Sequence, residues 1–352
     1  MIHIDDTCPV LGLMLGDPTG IGPEQCARIL SDQRLRDAAR LVVIGDRRVL
    51  SMGERDAGVT LRSRSYESPR AIDWSRDEVA MIDLANCDPA SLPRGVASPE
   101  SGRIVGETLA AMVKIALAGD IDGITFAPLN KGALHAGGWR FNDEHQLFAN
   151  LTAHRGHFGE MNVLDGLWMS RVTSHVSLRT ALDQITGERI EQSLTLAHDT
   201  MRGAGYDVPR IAVAALNPHG GENGLFGREE IDVIAPAVAR AAARGIACRG
   251  PFPADTVFLK ALAGEFDGVL TMYHDQGQIA TKLQGFNRGV TVTAGLATVF
   301  TTPAHGTAFD IVGRGKASTG ALEQAVRLAA RLAASRRHAG ASSPTPLNTI
   351  VA

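Results

Sequence analysis

Apolar runs of four to six residues alternate with helix-patterned stretches along most of this chain, and each run stops at a cluster of glycine and polar residues. A strand reaching its C-terminal end and a helix crossing back to the next strand produce that rhythm, so it predicts an α/β fold with a largely parallel sheet. Leu11–Leu15 stops at Gly16-Asp17-Pro18-Thr19-Gly20-Ile21-Gly22, and Pro23 opens a helix through Leu30, where its missing N–H costs least. Leu41–Ile44 reads as a second strand. Val105, Leu109, Met112, Val113 and Ala116 share one face of a helix that stops near Gly119. Three later strands end in reactive clusters: Gly123–Ala127 in Pro128-Leu129-Asn130-Lys131-Gly132, Ile211–Leu216 in Asn217-Pro218-His219-Gly220-Gly221-Glu222, and Val269–Tyr273 in His274-Asp275-Gln276-Gly277. Ligands of open α/β sheets bind at that edge, which puts the expected site there. Residues 60–100 read as an irregular excursion, and Arg336–Ala352 as a fraying tail.

At 352 residues the chain exceeds the span of a single core, so two domains or one large unit with an insertion are expected. Lys and Arg number 35 against 38 Asp and Glu, a net charge of −3 that supplies no basic field for nucleic acid or an anionic membrane. Four scattered cysteines form no C-x-x-C pair, which fits a reducing cytoplasm rather than a disulfide framework or a thiolate zinc site. No export signal and no apolar run long enough to span a membrane is present, so the expected location is cytoplasmic and the expected partner is a small molecule.

His219 and His274 each stand just past a strand end in a glycine-containing loop, and His175 lies in a β-like segment. Their spacing matches no local metal motif, so ligation of an ion and hydrogen bonding to loop carbonyls are both compatible with it. The Gly16–Gly22 loop is neither a dinucleotide fingerprint nor a Walker A motif, and a tight strand-to-helix turn explains it as well as a ligand contact does. A second glycine-rich segment, 303–316, mixes His305, Thr307, Asp310, Arg314 and Lys316 with Gly306, Gly313 and Gly315, a composition suited to close approach of backbone amides to a nucleotide or to a surface turn. Lys131 reads as an anion binder or a solvated lysine.

Six segments in order resemble the 4-hydroxythreonine-4-phosphate dehydrogenase family, which shares the isocitrate and isopropylmalate dehydrogenase fold: Gly-Asp-Pro-Thr-Gly-Ile-Gly-Pro-Glu (16–24), Ala-Pro-Leu-Asn-Lys-Gly (127–132), Leu-Asn-Pro-His-Gly-Gly-Glu (216–222), Gly-Pro-Phe-Pro-Ala-Asp-Thr (250–256), Met-Tyr-His-Asp-Gln-Gly (272–277) and His-Gly-Thr-Ala-Phe-Asp-Ile-Val-Gly-Arg-Gly (305–315). The resemblance implies a two-domain α/β subunit, with residues 1–130 and 290–340 on the cofactor side, 131–289 carrying metal, substrate and dimer contacts, and 341–352 as a tail. It implies a homodimer with the active site in a cleft near the interface. It also implies NAD or NADP at His305, Gly306, Asp310, Gly313 and Gly315, and a divalent metal, Zn2+ or else Mg2+ or Mn2+, on His175, His219 and His274. The implied reaction is oxidation of a hydroxy acid with loss of CO2, with Lys131, Asp255 and Asp275 as candidates for moving protons or orienting ligands.

The chain departs from the family where substrate is held. Glu144 and His145 stand where the family has His and Thr, Thr291 and Phe300 where it has Asn and Arg, while Lys282 matches a phosphate-contacting lysine. Exchanging an arginine fork for a carboxylate disfavours a phosphate held in the same way, which points to a different substrate such as a terephthalate-type cis-dihydrodiol carboxylate. Lys131 and Lys282 keep a 4-phosphorylated four-carbon acid as the alternative. Acyl or phosphate transfer of the phosphotransacetylase kind, or a binding paralogue without activity, are the rivals of another class.

Overall fold

The structure, a computed structural model, describes residues 8–285 and 288–342. Among them twelve strands form one sheet: β1 (Val10–Met14), β2 (Arg40–Gly45), β3 (Ser63–Ser65), β4 (Val79–Asp83), β5 (Gly123–Phe126), β6 (Gly159–Leu164), β7 (Leu167–Arg171), β8 (Ile211–Ala214), β9 (Cys248–Phe252), β10 (Gly268–Thr271), β11 (Val290–Ala294) and β12 (Val299–Pro303). Their order is β3-β4-β2-β1-β5-β12-β11-β6-β7-β10-β8-β9. Pairing is parallel except where β11 meets β12 and β6, and where β6 meets β7. Strands β1, β5, β8 and β10 are buried at every residue, as continuous apolar runs must be when helices cover both faces of a parallel sheet.

The expected division at residues 130 and 290 falls inside this one sheet, because β11 hydrogen-bonds to β6 across it. The segment 60–100, read from sequence as irregular, supplies the edge strands β3 and β4; Ser-Arg-Ser carries no apolar pattern and is a strand only through its ladder with β4. The tail is also more ordered than its composition suggests. The last helix runs Gly320–Ser342, past the expected fraying point at Arg336, and Arg337 donates to Asp122 at 2.6 Å. The rest of the expected tail, 343–352, lies outside the described residues.

The first glycine loop is a strut between two other loops. Gly16 has φ +77°, and a Cβ there would sit 2.6 Å from the Pro128 carbonyl oxygen. Asp17 N–H donates to that same oxygen at 3.0 Å, and Ile21 N–H donates to Thr307 O at 3.1 Å. The loop therefore fixes the lysine loop after β5 and the glycine-rich segment after β12 against each other, which sets two walls of the cleft described next.

Candidate active site

A cleft of about 350 Å³ opens beyond the ends of β5, β12 and β10. Its walls are the Asn130–Lys131 loop, the start of the helix Glu144–Leu151, the helix His274–Gly285 and the loop through His305, Gly306 and Thr307. The antiparallel strands in mid-sheet add a polar wall. Antiparallel pairing sets Thr291 opposite Asn162 and Thr293 opposite Glu160, and side chains two apart on a strand share a face. Glu160, Asn162 and Thr291 line the cleft, and Arg171 of β7 lies 3.5 Å from Glu160 Oε1.

Two of the imidazoles at the cleft each have one nitrogen tied to a carboxylate. His175 Nδ1 is 2.5 Å from Asp143 Oδ2 and His274 Nδ1 is 2.7 Å from Asp275 Oδ1, with the two ring centroids 5.4 Å apart. Nε2 is then the nitrogen left for a ligand on each ring, the arrangement that orients metal-binding histidines. Asp143 has a second task, since its Oδ1 accepts from Gln146 N–H and caps the helix Glu144–Leu151. Parallel strands β7, β10 and β8 are neighbours, so the loops carrying His175, His274 and His219 leave the same edge side by side. His219 nevertheless lies outside the cleft lining, its ring 6.3 Å from that of Phe226. Among the described residues no group of three or more His, Cys, Asp or Glu side chains is placed to hold a metal ion. Two donors of the expected set thus have the chemistry and orientation for a cation, and the third is not brought to them within this chain.

Charge pairing dominates the opposite wall. Lys131 Nζ lies 3.0 Å from Glu144 Oε2, and His145 Nε2 lies 3.4 Å from Glu160 and 3.9 Å from Glu144. Burial opposes charge on Glu160, yet Arg171 and His145 hold its carboxyl well below the usual range. Burial likewise opposes the imidazolium of His145, but Glu144 and Glu160 raise its pKa. For Lys131 the Glu144 charge outweighs burial and raises the pKa, so the lysine stays a cation and is poorly suited to act as a base. Asp143, burial notwithstanding, is kept low by its bond to His175.

Several expected site residues sit elsewhere. Phe300 is fully buried and stacks on Phe148 with centroids 4.1 Å apart, so it belongs to the core and touches no ligand space. His145 is buried behind the wall with Nδ1 2.6 Å from Thr293 Oγ1, and supports the site rather than lining this cleft. Asp255 is exposed on the helix Ala254–Leu262, outside the lining, while Asp275 reaches the cleft only through His274. Lys131, Glu144, Lys282, Thr291, His305 and Gly306 do line it. Asp310, Gly313 and Gly315 do not; Gly315 O accepts from Arg28 at 2.7 Å, which pins that part of the loop onto the helix Gly22–Ser31. A Cβ at Gly306 would meet nothing within 4 Å, and Gln25 beside His305 keeps a buried Oε1 without a hydrogen-bond partner. That open backbone and orphaned acceptor suit a polar cofactor lying along His305 and Gly306. Sequence reasoning missed Asp143, Glu160, Asn162 and Arg171. The alternation Glu160-Met161-Asn162 and Thr291-Val292-Thr293, polar residues at period two inside a sheet, was the available signal.

Residues 37–329 match the family described as pyridoxal phosphate biosynthetic protein PdxA. The chain belongs to the PdxA family. A Pseudomonas aeruginosa relative, provisionally named 4-hydroxythreonine-4-phosphate dehydrogenase 2, is 47% identical over 92% of this chain and 97% of its own length. D-threonate 4-phosphate dehydrogenase of Cupriavidus necator is 40% identical, covering 95% of this chain and 100% of its own. The crystal structure of 4-hydroxythreonine-4-phosphate dehydrogenase from Klebsiella pneumoniae superposes with a TM-score of 0.79 at 38% identity, over 93% of this chain and 98% of that one. The PdxA fold of this chain is thus the α/β architecture that the strand rhythm predicts.

Proposed function

We propose that this PdxA-family chain is a nicotinamide-dependent dehydrogenase that oxidises the secondary hydroxyl of a 4-phosphorylated four-carbon hydroxy acid in the cleft between Lys131 and His274. The observation that carries this reading is the cleft itself, which lines up Lys131 and Lys282 with two carboxylate-oriented imidazoles in a chain whose relatives are named for such substrates. A terephthalate-type dihydrodiol is the weaker reading. It rested partly on Phe300 replacing a phosphate-binding arginine, and Phe300 lies in the core.

The chain's own residues divide the work. Lys131 and Lys282 supply positive charge for the phosphate and carboxylate ends of the substrate. Asp143 and Asp275 fix the rings of His175 and His274, so that Nε2 of each would hold a divalent cation able to draw electron density from the hydroxyl oxygen. Bound NAD or NADP supplies the hydride acceptor, beside His305 and Gly306. Oxidation at carbon 3 yields a 3-oxo acid, whose carboxylate leaves as CO2 with its electrons passing toward the new carbonyl. His219, one loop along the same edge, would be the third donor if a second copy of the chain brought its loop Pro218–Gly224 to the cleft.

A second copy is supported by exposed apolar side chains on elements flanking the cleft. Leu225 is 73% exposed, Leu259 66%, Ile279 61% and Leu283 81%, large apolar side chains that a partner surface would cover. Reduction of NAD or NADP during incubation with 4-phosphorylated four-carbon acids, abolished by a chelator and restored by Zn2+, Mg2+ or Mn2+, is the expected result. Turnover of an aromatic cis-dihydrodiol carboxylate alone would reverse the substrate assignment.

A further inference from the structure

His274, Gln278 and Lys282 stand at every fourth position of the helix His274–Gly285, so their side chains share one face, ~6 Å apart along the axis, and all three line the cleft. Gln278 thus lies between the imidazole and the lysine. Behind it is Arg171, whose side chain is 5% exposed and outside the cleft lining. One terminal atom of the Gln278 amide is 3.0 Å from Arg171 Nη2, 3.1 Å from Nη1 and 2.9 Å from Asn162 Oδ1. A guanidinium only donates, so that atom is the oxygen, accepting from both arms of the fork. As nitrogen it would gain one bond to Asn162 and face two charged donors. Asn162 Oδ1 accepts from the same Nη2, while its amide nitrogen donates to Glu160 and to Thr291 at 3.0 Å each.

With the carbonyl tied back, the NH2 is the end of Gln278 left to the cleft, and it makes no hydrogen bond among the described residues. An amide whose oxygen accepts from a cation donates more strongly at nitrogen, because linked hydrogen bonds polarise one another. Arg171 therefore projects part of its charge into the cleft although no arginine lines it among the described residues. Glu160, 3.5 Å from Arg171, does not absorb that charge alone, since His145 and Asn162 also hold its carboxyl. The acceptors an acid substrate offers beside Lys282 are oxyanion oxygens. Resting on the dehydrogenase reading above, we propose that Gln278 is a substrate contact, donating through Nε2 to an oxyanion of the acid beside Lys282. Arg171 is its positioning residue, fixing which end of the amide faces the ligand.

Calorimetric titration of the full, metal-supplemented chain with threonate 4-phosphate, alone and against inorganic phosphate as competitor, reads this contact without turnover. Gln278→Leu removes the donor and should weaken binding of the acid by about tenfold or more. Gln278→Glu keeps a partner for the Arg171 fork but turns an oxygen toward the anion, and should weaken it further. Arg171→Lys keeps a cation for Glu160 and loses the fork. It should weaken binding by about threefold in the unmodified protein and add nothing to Gln278→Leu, whereas a merely structural role would cost the same in both backgrounds. Circular dichroism checks that each variant is folded. Phosphate competition that weakens in step with the acid in Gln278→Leu assigns the phosphoryl group to this contact, and unchanged competition assigns the carboxylate; each supports the proposal. Unchanged affinity for the acid in Gln278→Leu, or an Arg171→Lys effect of equal size with and without Gln278→Leu, overturns it while leaving the dehydrogenase reading standing. Failure of the unmodified chain to bind the acid overturns both.

Discussion

Asp143 caps a helix through Oδ1 and holds His175 through Oδ2, so one side chain couples local folding to the site. The two tasks separate under substitution. Asparagine caps a helix as well as aspartate does but presents no charge to the imidazole. Asp143→Asn should therefore leave the melting temperature nearly unchanged while lowering kcat by roughly 10–100-fold, the usual effect of losing such an orienting carboxylate. A large fall in melting temperature with kcat preserved would assign Asp143 to folding alone. Glu160 offers a test by pH. Its folded pKa lies well below the ordinary 4.5, so the stability it contributes is present above that value and is lost as pH falls through the folded pKa. Glu160→Gln leaves Arg171 and His145 without their carboxylate and should destabilise by about 3 kcal/mol at neutral pH. In urea denaturation this gap should hold down to about pH 5 and shrink below it, because a protonated Glu160 resembles glutamine. A gap independent of pH would show that folding leaves the Glu160 pKa unshifted.

At the scale of elements, the parallel strands were legible because a buried strand reads as an apolar run, and Leu11–Leu15, Leu41–Ile44 and Ile211–Leu216 fall on β1, β2 and β8 to within two residues. The antiparallel insertion β11-β6-β7 was not, since its polar residues at alternate positions face a cleft that tertiary contacts create. His175 and His274 were legible as residues past strand ends, but Asp143 and Glu160 are ordinary acids in sequence and acquire meaning from the partners the fold brings to them, His175 for Asp143 and Arg171 and His145 for Glu160. Phe300 shows the converse. Matched position by position to a family arginine, it points into a core that Phe148 fills, and alignment carries no information about that repacking. Exposed helix faces also carry a prediction. Leu259 and Leu283 stand exposed on the helices Ala254–Leu262 and His274–Gly285, and the proposed dimer would bury them against a second copy. Light scattering should return twice the 37.3 kDa chain mass, with Leu259→Glu plus Leu283→Glu reducing it to one chain; a monomeric unmodified protein would contradict the dimer.

For the whole molecule, one continuous sheet carries the lysine loop, the polar wall and the histidine loops as parts of a single frame, and the Gly16–Gly22 strut holds the first of these to the His305 loop. The walls proposed for substrate and cofactor are thereby set by the same backbone, which is what a dehydrogenase needs to hold a hydroxyl carbon against a hydride acceptor. The most direct measurement is nicotinamide reduction by the purified, metal-supplemented chain supplied with a 4-phosphorylated four-carbon hydroxy acid. The account predicts substrate-dependent reduction that disappears in both His175→Ala and His274→Ala. Absence of reduction with every such acid, or reduction undiminished in those two variants, would contradict it.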